Sequence, residues 1–216
     1  MAVPRVSFAN PLKTASFVGV WPVMCKWKKK SAKKSQDTMI NATSEYQDSL
    51  PVSSDMIMEQ LKTWDISYRC FDHVALMTVE DSKKVQSLFL SSEQGGGHIK
   101  NLYLRDHKKQ NILLVAEQDR KIDLKSLSTL LGTGRLSFGS ADRLLENLGV
   151  RPGAVTPLAM INGVNQGVQL FIDSDLKKCL KLYVHPLVND RTLEMELDGL
   201  GIFFKMVGVA PIWVDL

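Results

Sequence analysis

From Met56 to the C-terminus, apolar residues recur at short helical and short strand periods in alternation. The pattern predicts a helix over Met56 to Thr63 and a strand over Tyr68 to Phe71. A second helix, capped by Thr78 with Glu80 and Asp81 in its first turn, is predicted to run through Val85, Leu88 and Phe89 to about Leu90. Ser91 to His98, with Gly95, Gly96 and Gly97, reads as a flexible loop. Lys100 to Asp106 alternates as a strand, Leu102 and Leu104 on one face and Asn101, Tyr103 and Arg105 on the other. His107 to Gln110 turns the chain into a second strand, Asn111 to Ala116, completing a hairpin. Asp123 caps a helix over Leu124 to Leu131 that Gly132 stops, Arg135 to Phe138 is extended, and Ser140 caps Ala141 to Leu148, which Gly149 stops. Beyond Asn162, strands are predicted at Gly167 to Asp173, Lys181 to His185, Thr192 to Leu197 and Pro211 to Leu216. A helical piece lies at Ser174 to Cys179, and Asp198 caps a helix that ends at Gly208. Short strands and helices in alternation, with a hairpin and no regular β-α-β series, predict an α/β (α+β) domain built on a mixed sheet.

Composition separates this domain from what precedes it. Of the 27 Lys/Arg and 23 Asp/Glu in 216 residues, 8 and 4 fall in residues 1–55, which leaves 19 of each sign in residues 56–216. Residues 1–36 hold no acidic residue. Residues 1–55 therefore read as a basic, disordered leader and linker, and residues 56–216 as the folded domain. The apolar run Ala15 to Cys25 is broken by Pro22 and is too short to span a bilayer, so no membrane partner is expected. The expected location is cytoplasmic, with mitochondrial import through the basic leader as the alternative. Cys25, Cys70 and Cys179 form no Cys-x-x-Cys pair, and His73, His98, His107 and His185 show no metal-ligand spacing, so neither a metal nor another cofactor is expected. Gly132-Thr-Gly134 lacks the third glycine of a dinucleotide fingerprint, and no Gly-x-Ser-x-Gly elbow occurs.

The chemistry concentrates in Arg151 to Asn162. Gly153 permits φ > 0 or close approach of a ligand to the main chain, and Pro152 and Pro157 each fix one φ. A loop so constrained holds its N–H groups in fixed directions, and aimed N–H groups suit a carbonyl oxygen that gains negative charge in ester or acyl chemistry. An ordinary turn has the same composition. Lys100 shares the strand face of Leu102 and Leu104, which puts its ammonium at the mouth of an apolar space or makes it a strand-end lysine reaching for water.

Gly153-x-x-x-Pro157, preceded by a helix ending in Leu148-Gly149-Val150 and combined with Lys100-Asn-Leu-Tyr-Leu-Arg-Asp106 and His185-Pro-Leu187, resembles the YbaK/prolyl-tRNA-synthetase-associated-domain superfamily of aminoacyl-tRNA editing deacylases. Its freestanding branch, which removes alanine from proline tRNA, is the most similar, and the resemblance runs from about Met56 to Leu216. It implies a curved, mixed, mostly antiparallel sheet approaching a barrel, with helices packed outside. It implies hydrolysis of the aminoacyl ester, with tRNA as partner and prolyl-tRNA synthetase as a further one. By position, Lys100 would contact the 3′-terminal nucleotide, and Gly153 and Ala154 would supply loop amides for the carbonyl. Pro157 and His185 would line the amino-acid pocket, and the substrate's 2′-hydroxyl would help activate water. Asn101 and Asn189 are candidates for hydrogen bonds to the pocket or the substrate amine. Arg105, Arg135, Arg143 and Arg151 are candidates for acceptor-stem phosphates or for plain solvated charges. Where the family has His-Pro-Pro-Val-Phe-Thr, this chain has His73-Val-Ala-Leu-Met-Thr78, which changes a turn at the pocket beside His73. The alternatives are a deacylase for cysteine or serine on the same tRNA, and a non-catalytic tRNA- or synthetase-binding module with the same fold.

Overall fold

The computed structural model describes residues 42–216, so the basic segment read as a leader lies outside the described residues up to residue 41. Eight strands form one sheet: β1 (Tyr68–Asp72), β2 (Gly96–Asp106), β3 (Asn111–Glu117), β4 (Leu136–Phe138), β5 (Gln169–Asp173), β6 (Lys181–Val184), β7 (Arg191–Met195) and β8 (Ile212–Val214). Their order is β1-β7-β6-β2-β3-β5-β8, with β4 also on β2. Four ladders are antiparallel (β1/β7, β6/β7, β2/β3, β2/β4) and three parallel (β2/β6, β3/β5, β5/β8). The sheet is mixed, mostly antiparallel and unclosed, since β1 and β8 end it without pairing to each other.

Helices α1 (Ser54–Thr63), α2 (Val79–Val85), α3 (Leu124–Leu130), α4 (Ala141–Leu148), α5 (Met160–Gly163) and α6 (Leu197–Val207) complete the domain. The core has two parts, and β3 separates them. Leu113 and Val115 face the larger cluster with Ile57, Leu61, Leu148, Leu158 and Phe203, while Ile112 and Leu114 face the smaller one with Leu104, Leu127 and Phe171. Covering on both faces explains why β3 is an unbroken apolar run rather than an alternating one. β2 is covered on both faces too: Tyr103, expected on the polar face, is buried in the larger cluster, and its hydroxyl donates to Asn111 Oδ1 at 2.9 Å.

Several segments differ from the sequence expectation: α2 ends at Val85 and passes into a 3-10 turn at Gln86–Leu88 instead of running to Leu90, and α6 starts at Leu197 with Glu196, not Asp198, at its N-cap. The glycine run is not a flexible loop. After a 3-10 turn at Ser92–Gln94, Gly96-Gly97-His98 begin β2 as a parallel partner of Lys181-Leu182-Tyr183. A Cβ on Gly96 would stand 2.0 Å from the Leu90 carbonyl oxygen and one on Gly97 2.4 Å from Leu182 Cδ2, so the glycines admit a strand where no side chain fits. The described part of the linker segment is folded onto the domain. Ser44–Ser49 form a 3-10 helix, Leu50 and Val52 pack against the core, and Ser53 caps α1, which starts two residues before the expected position. Among the described residues no helix is long and apolar enough to cross a membrane.

β2 changes neighbours along its length, and this opens the space for a site. On one edge, Gly96–His98 pair with β6 and Leu104–Asp106 pair with β4. Between these two stretches, residues 99–103 of β2 have no strand neighbour on that edge among the described residues. Lys100 and Asn101 lie in this gap.

Candidate active site

A cavity of about 250 Å³ opens at the gap. It is bordered by Lys100 and Asn101 of β2, Gly153 and Val155 of the loop after α4, His185 after β6 and Thr192 of β7. α2 covers another side through Ser82 and Val85. The helix starts at a capping box: Thr78 Oγ1 accepts from Asp81 N at 3.1 Å, and Asp81 Oδ2 accepts from Thr78 N at 3.2 Å. Hydrogen bonds from Lys84 and Thr78 hold the Asp81 carboxyl down to about 2, so the cap stays charged through the neutral range.

The loop does what its composition suggests, with one change of donor. Gly153 has φ +89°, and a Cβ there would stand 2.9 Å from Met77 Sδ and 3.1 Å from Asn189 Nδ2, so glycine is required for both conformation and space. Ala154, expected to offer its amide to the substrate, donates that N–H to the Arg151 carbonyl at 3.0 Å, and its side chain is fully buried. The turn itself consumes the donor. Among the described residues, the N–H groups of Gly153 and Val155 make no hydrogen bond to the protein, and both residues border the cavity. Pro157 is buried behind the loop as the first residue of a 3-10 turn capped by Thr156 and does not border the cavity.

Asn101 ties the gap to the loop. Its Nδ2 donates to the Val155 carbonyl at 2.9 Å, which fixes the amide orientation and leaves Oδ1 as a buried acceptor with no partner among the described residues. The Lys100 ammonium donates to the main-chain carbonyl of Arg120. Arg120 is itself anchored, with its guanidinium 2.8 Å from the buried Asp173 carboxylate, paired also with Asp175, and donating to the Leu216 carbonyl.

His185 Nδ1 lies 2.8 Å from the Arg191 carbonyl oxygen, so Nδ1 carries the proton and Nε2 is left as an acceptor. Burial pushes its pKa below the ordinary imidazole value; the Arg191 carbonyl opposes that shift and nearby His73 adds to it. The ring is therefore neutral at pH 7. His73 sits one layer back: its Nε2 is 2.8 Å from Thr192 Oγ1, and Thr192, not His73, borders the cavity. Asn189 is also behind the wall. Fully buried, it donates from Nδ2 to the Leu76 carbonyl at 3.2 Å and to Met77 Sδ at 3.0 Å, thereby holding the segment that replaces the family's His-Pro-Pro-Val-Phe-Thr.

The arginines do not gather at the cavity. Arg105 and Arg135 lie at the β2–β3 hairpin end, with Arg105 about 17 Å along the strand from Lys100. Arg143 is exposed on α4. The Arg151 guanidinium donates to Ser49 Oγ at 2.6 Å and to the Tyr46 carbonyl at 3.4 Å. Sequence reading missed Met77, Val155 and Thr192 as cavity residues. Val155 sits inside the Gly-x-x-x-Pro run and was within reach; Thr192, on a predicted strand, carried no signal. The described residues contain no group of three His, Cys, Asp or Glu side chains that could hold a metal ion.

Residues 73–201 match the sequence profile of the aminoacyl-tRNA editing domain. The prolyl-tRNA editing protein ProX of Acetoanaerobium sticklandii is 33% identical over 153 residues, covering 70% of this chain and 90% of that protein. The prolyl-tRNA synthetase associated domain-containing protein 1 of Xenopus laevis is 35% identical over 163 residues, covering 72% and 92%. The crystal structure of a candidate trans-editing enzyme for prolyl tRNA synthetase superposes with a TM-score of 0.57 at 17% identity, covering 76% of this chain and 96% of that one, a likeness of fold.

Proposed function

Because this chain belongs to the aminoacyl-tRNA editing domain family, we propose that it is a trans-editing deacylase of the proline system that hydrolyses alanine from mischarged proline tRNA. The observation that supports this most is the meeting of Lys100, Gly153 and His185 at one cavity, although they lie on three separate parts of the chain.

The aminoacyl ester is intrinsically labile, so positioning and electrostatics suffice and no protein nucleophile is needed. In this reading the N–H groups of Gly153 and Val155 hold the ester carbonyl oxygen as it becomes an oxyanion. Lys100 has three N–H donors and uses one on the Arg120 carbonyl, so its ammonium can also take a phosphate oxygen of the terminal nucleotide. Asn101 Oδ1 accepts from the substrate's ammonium group, which ends its isolation as a buried acceptor. The neutral ring of His185 lines the amino-acid pocket and orients the ester, and the substrate's 2′-hydroxyl assists the attacking water. Leu76 and Met77 close the side-chain end of the pocket, which favours a methyl group over a larger side chain by steric exclusion.

Cysteine or serine on the same tRNA is the nearest other substrate. A binding module without activity is disfavoured by the intact Lys100 and Gly153-x-x-x-Pro157. The test is a panel of proline tRNAs charged with alanine, cysteine, serine and proline. Alanine should be discharged fastest and proline spared; no discharge of any ester overturns the enzyme reading, and faster discharge of cysteine or serine overturns the choice of alanine.

A further inference from the structure

The 3-10 helix Ser44–Ser49 lies before the family-matched residues 73–201, yet the segment from Ala42 to Ser49 is bonded to the two loops that carry Gly153 and His185 to the cavity. Toward the His185 loop, the Asp190 carboxylate accepts from Ser44 N at 2.9 and 3.0 Å and from Ser44 Oγ at 2.7 Å, and the Ala42 carbonyl accepts from Asn189 N at 2.9 Å. Toward the Gly153 turn, Ser49 Oγ and the Tyr46 carbonyl accept from the Arg151 guanidinium. Arg151 is the residue whose carbonyl closes that turn on Ala154.

Both loops need outside support. Gly153 at φ +89° and Leu187 at φ +67° hold left-handed conformations, and for Leu187 the conformation carries a side-chain penalty. Each loop has one side-chain tie to the sheet, Asn101 to the Val155 carbonyl in the first and His185 to the Arg191 carbonyl in the second, and neither tie joins the loops to each other. The link from Asn189 continues inward through its side chain to Leu76 and Met77, a third part of the wall.

We propose that residues 42–49 are an intramolecular strap that fixes the Gly153 turn and the His185 loop relative to each other, which makes Ser44, Ser49 and Asp190 positioning residues for the reaction. The proposal rests on the cavity being the hydrolytic site. A strap of this kind acts on the transition state, because misplacing the donors relative to the pocket by a fraction of an ångström weakens oxyanion contact before it weakens ground-state binding.

The full chain is compared with Asp190→Ala, which removes all three bonds to Ser44, and with the milder double variant Ser44→Ala, Ser49→Ala, which removes the two hydroxyl contacts and keeps the Ser44 N–H. Steady-state kcat and KM for alanyl-tRNA of the proline type are measured alongside amide hydrogen exchange of residues 150–156 and 185–191. The strap predicts a drop in kcat on the order of tenfold in Asp190→Ala and a smaller drop in the double variant, with KM little changed, together with faster exchange in both loops in Asp190→Ala. Unchanged kcat, a loss confined to KM, or faster exchange in only one loop would overturn it. If the parent protein leaves the ester intact, the functional reading fails by itself, and the exchange data still decide whether the two loops are coupled through the strap.

Discussion

Asn101 Nδ2 donates to the carbonyl of Val155 at 2.9 Å, a bond that joins the unpaired stretch of β2 to the loop carrying the two available N–H groups. The same contact aims Asn101 Oδ1 away from the loop and leaves it without a partner among the described residues. Asn101→Ala should therefore affect both the loop and the ammonium subsite, lowering kcat/KM on the order of 100-fold. Asn101→Asp keeps an acceptor but sets it against the Val155 carbonyl, and should recover little. Steady-state kinetics on alanyl-tRNA check this, and full activity in Asn101→Ala would remove the residue from the site.

Lys100→Ala should abolish discharge while leaving the fold intact, because the lost hydrogen bond to Arg120 is a partly buried one at the end of the gap. Adding salt should weaken binding less in this variant than in the parent, since one phosphate contact is gone. Turnover at the parental rate would mean that the ammonium has no part in the chemistry.

Gly153→Ala and Gly167→Ala make a matched pair. Both glycines have positive φ, +89° and +66°, so both variants bear a conformational penalty of about 1 kcal/mol. At Gly167 a Cβ meets nothing within 4 Å, whereas at Gly153 it meets Met77 Sδ and Asn189 Nδ2. Melting temperatures should fall modestly in both, and activity should collapse only in Gly153→Ala. Equal loss of activity in the two would mean that the effect is stability alone.

The neutral state of His185 has a pH signature. Its pKa is lowered in the folded chain by burial, so on acidification the unfolded chain takes up a proton before the folded chain does. Stability from this group is complete above the ordinary imidazole value of about 6.5 and is lost as pH falls below it toward the folded pKa. Thermal unfolding between pH 7.5 and 5 should show a steeper loss of stability in the parent than in His185→Asn. Parallel curves for the two proteins would rule out a buried neutral imidazole.

Asp173 is 1% exposed and pairs with Arg120, which also holds Asp175 and the C-terminal carbonyl. Asp173→Ala removes a buried carboxylate that pairs with Arg120 and accepts from the N–H groups of Glu117 and Asp175, while Arg120 keeps Asp175, and should cost about 2 kcal/mol. Urea unfolding measures it, and a change under 1 kcal/mol would show the pair to be energetically idle.

Much of the architecture was legible in the chain because it depends on near neighbours. The caps at Thr78, Asp123 and Ser140, the stop at Gly149 and the apolar run of β3 act within a few residues, and each of these elements began where its pattern placed it. The need for glycine at position 153 is also local, a matter of one φ angle. The tertiary structure alone decided which groups face the cavity. The Ala154 N–H is spent on Arg151 while Val155 keeps its own; His73 is screened by Thr192; Asn189 holds the wall from behind; and residues 42–49, with the composition of a linker, clasp two loops. Composition and period report a residue's own conformational and burial preference. The direction in which a donor is finally used depends on partners as many as 146 positions away, as in Ser44 and Asp190, and only the folded chain brings those together.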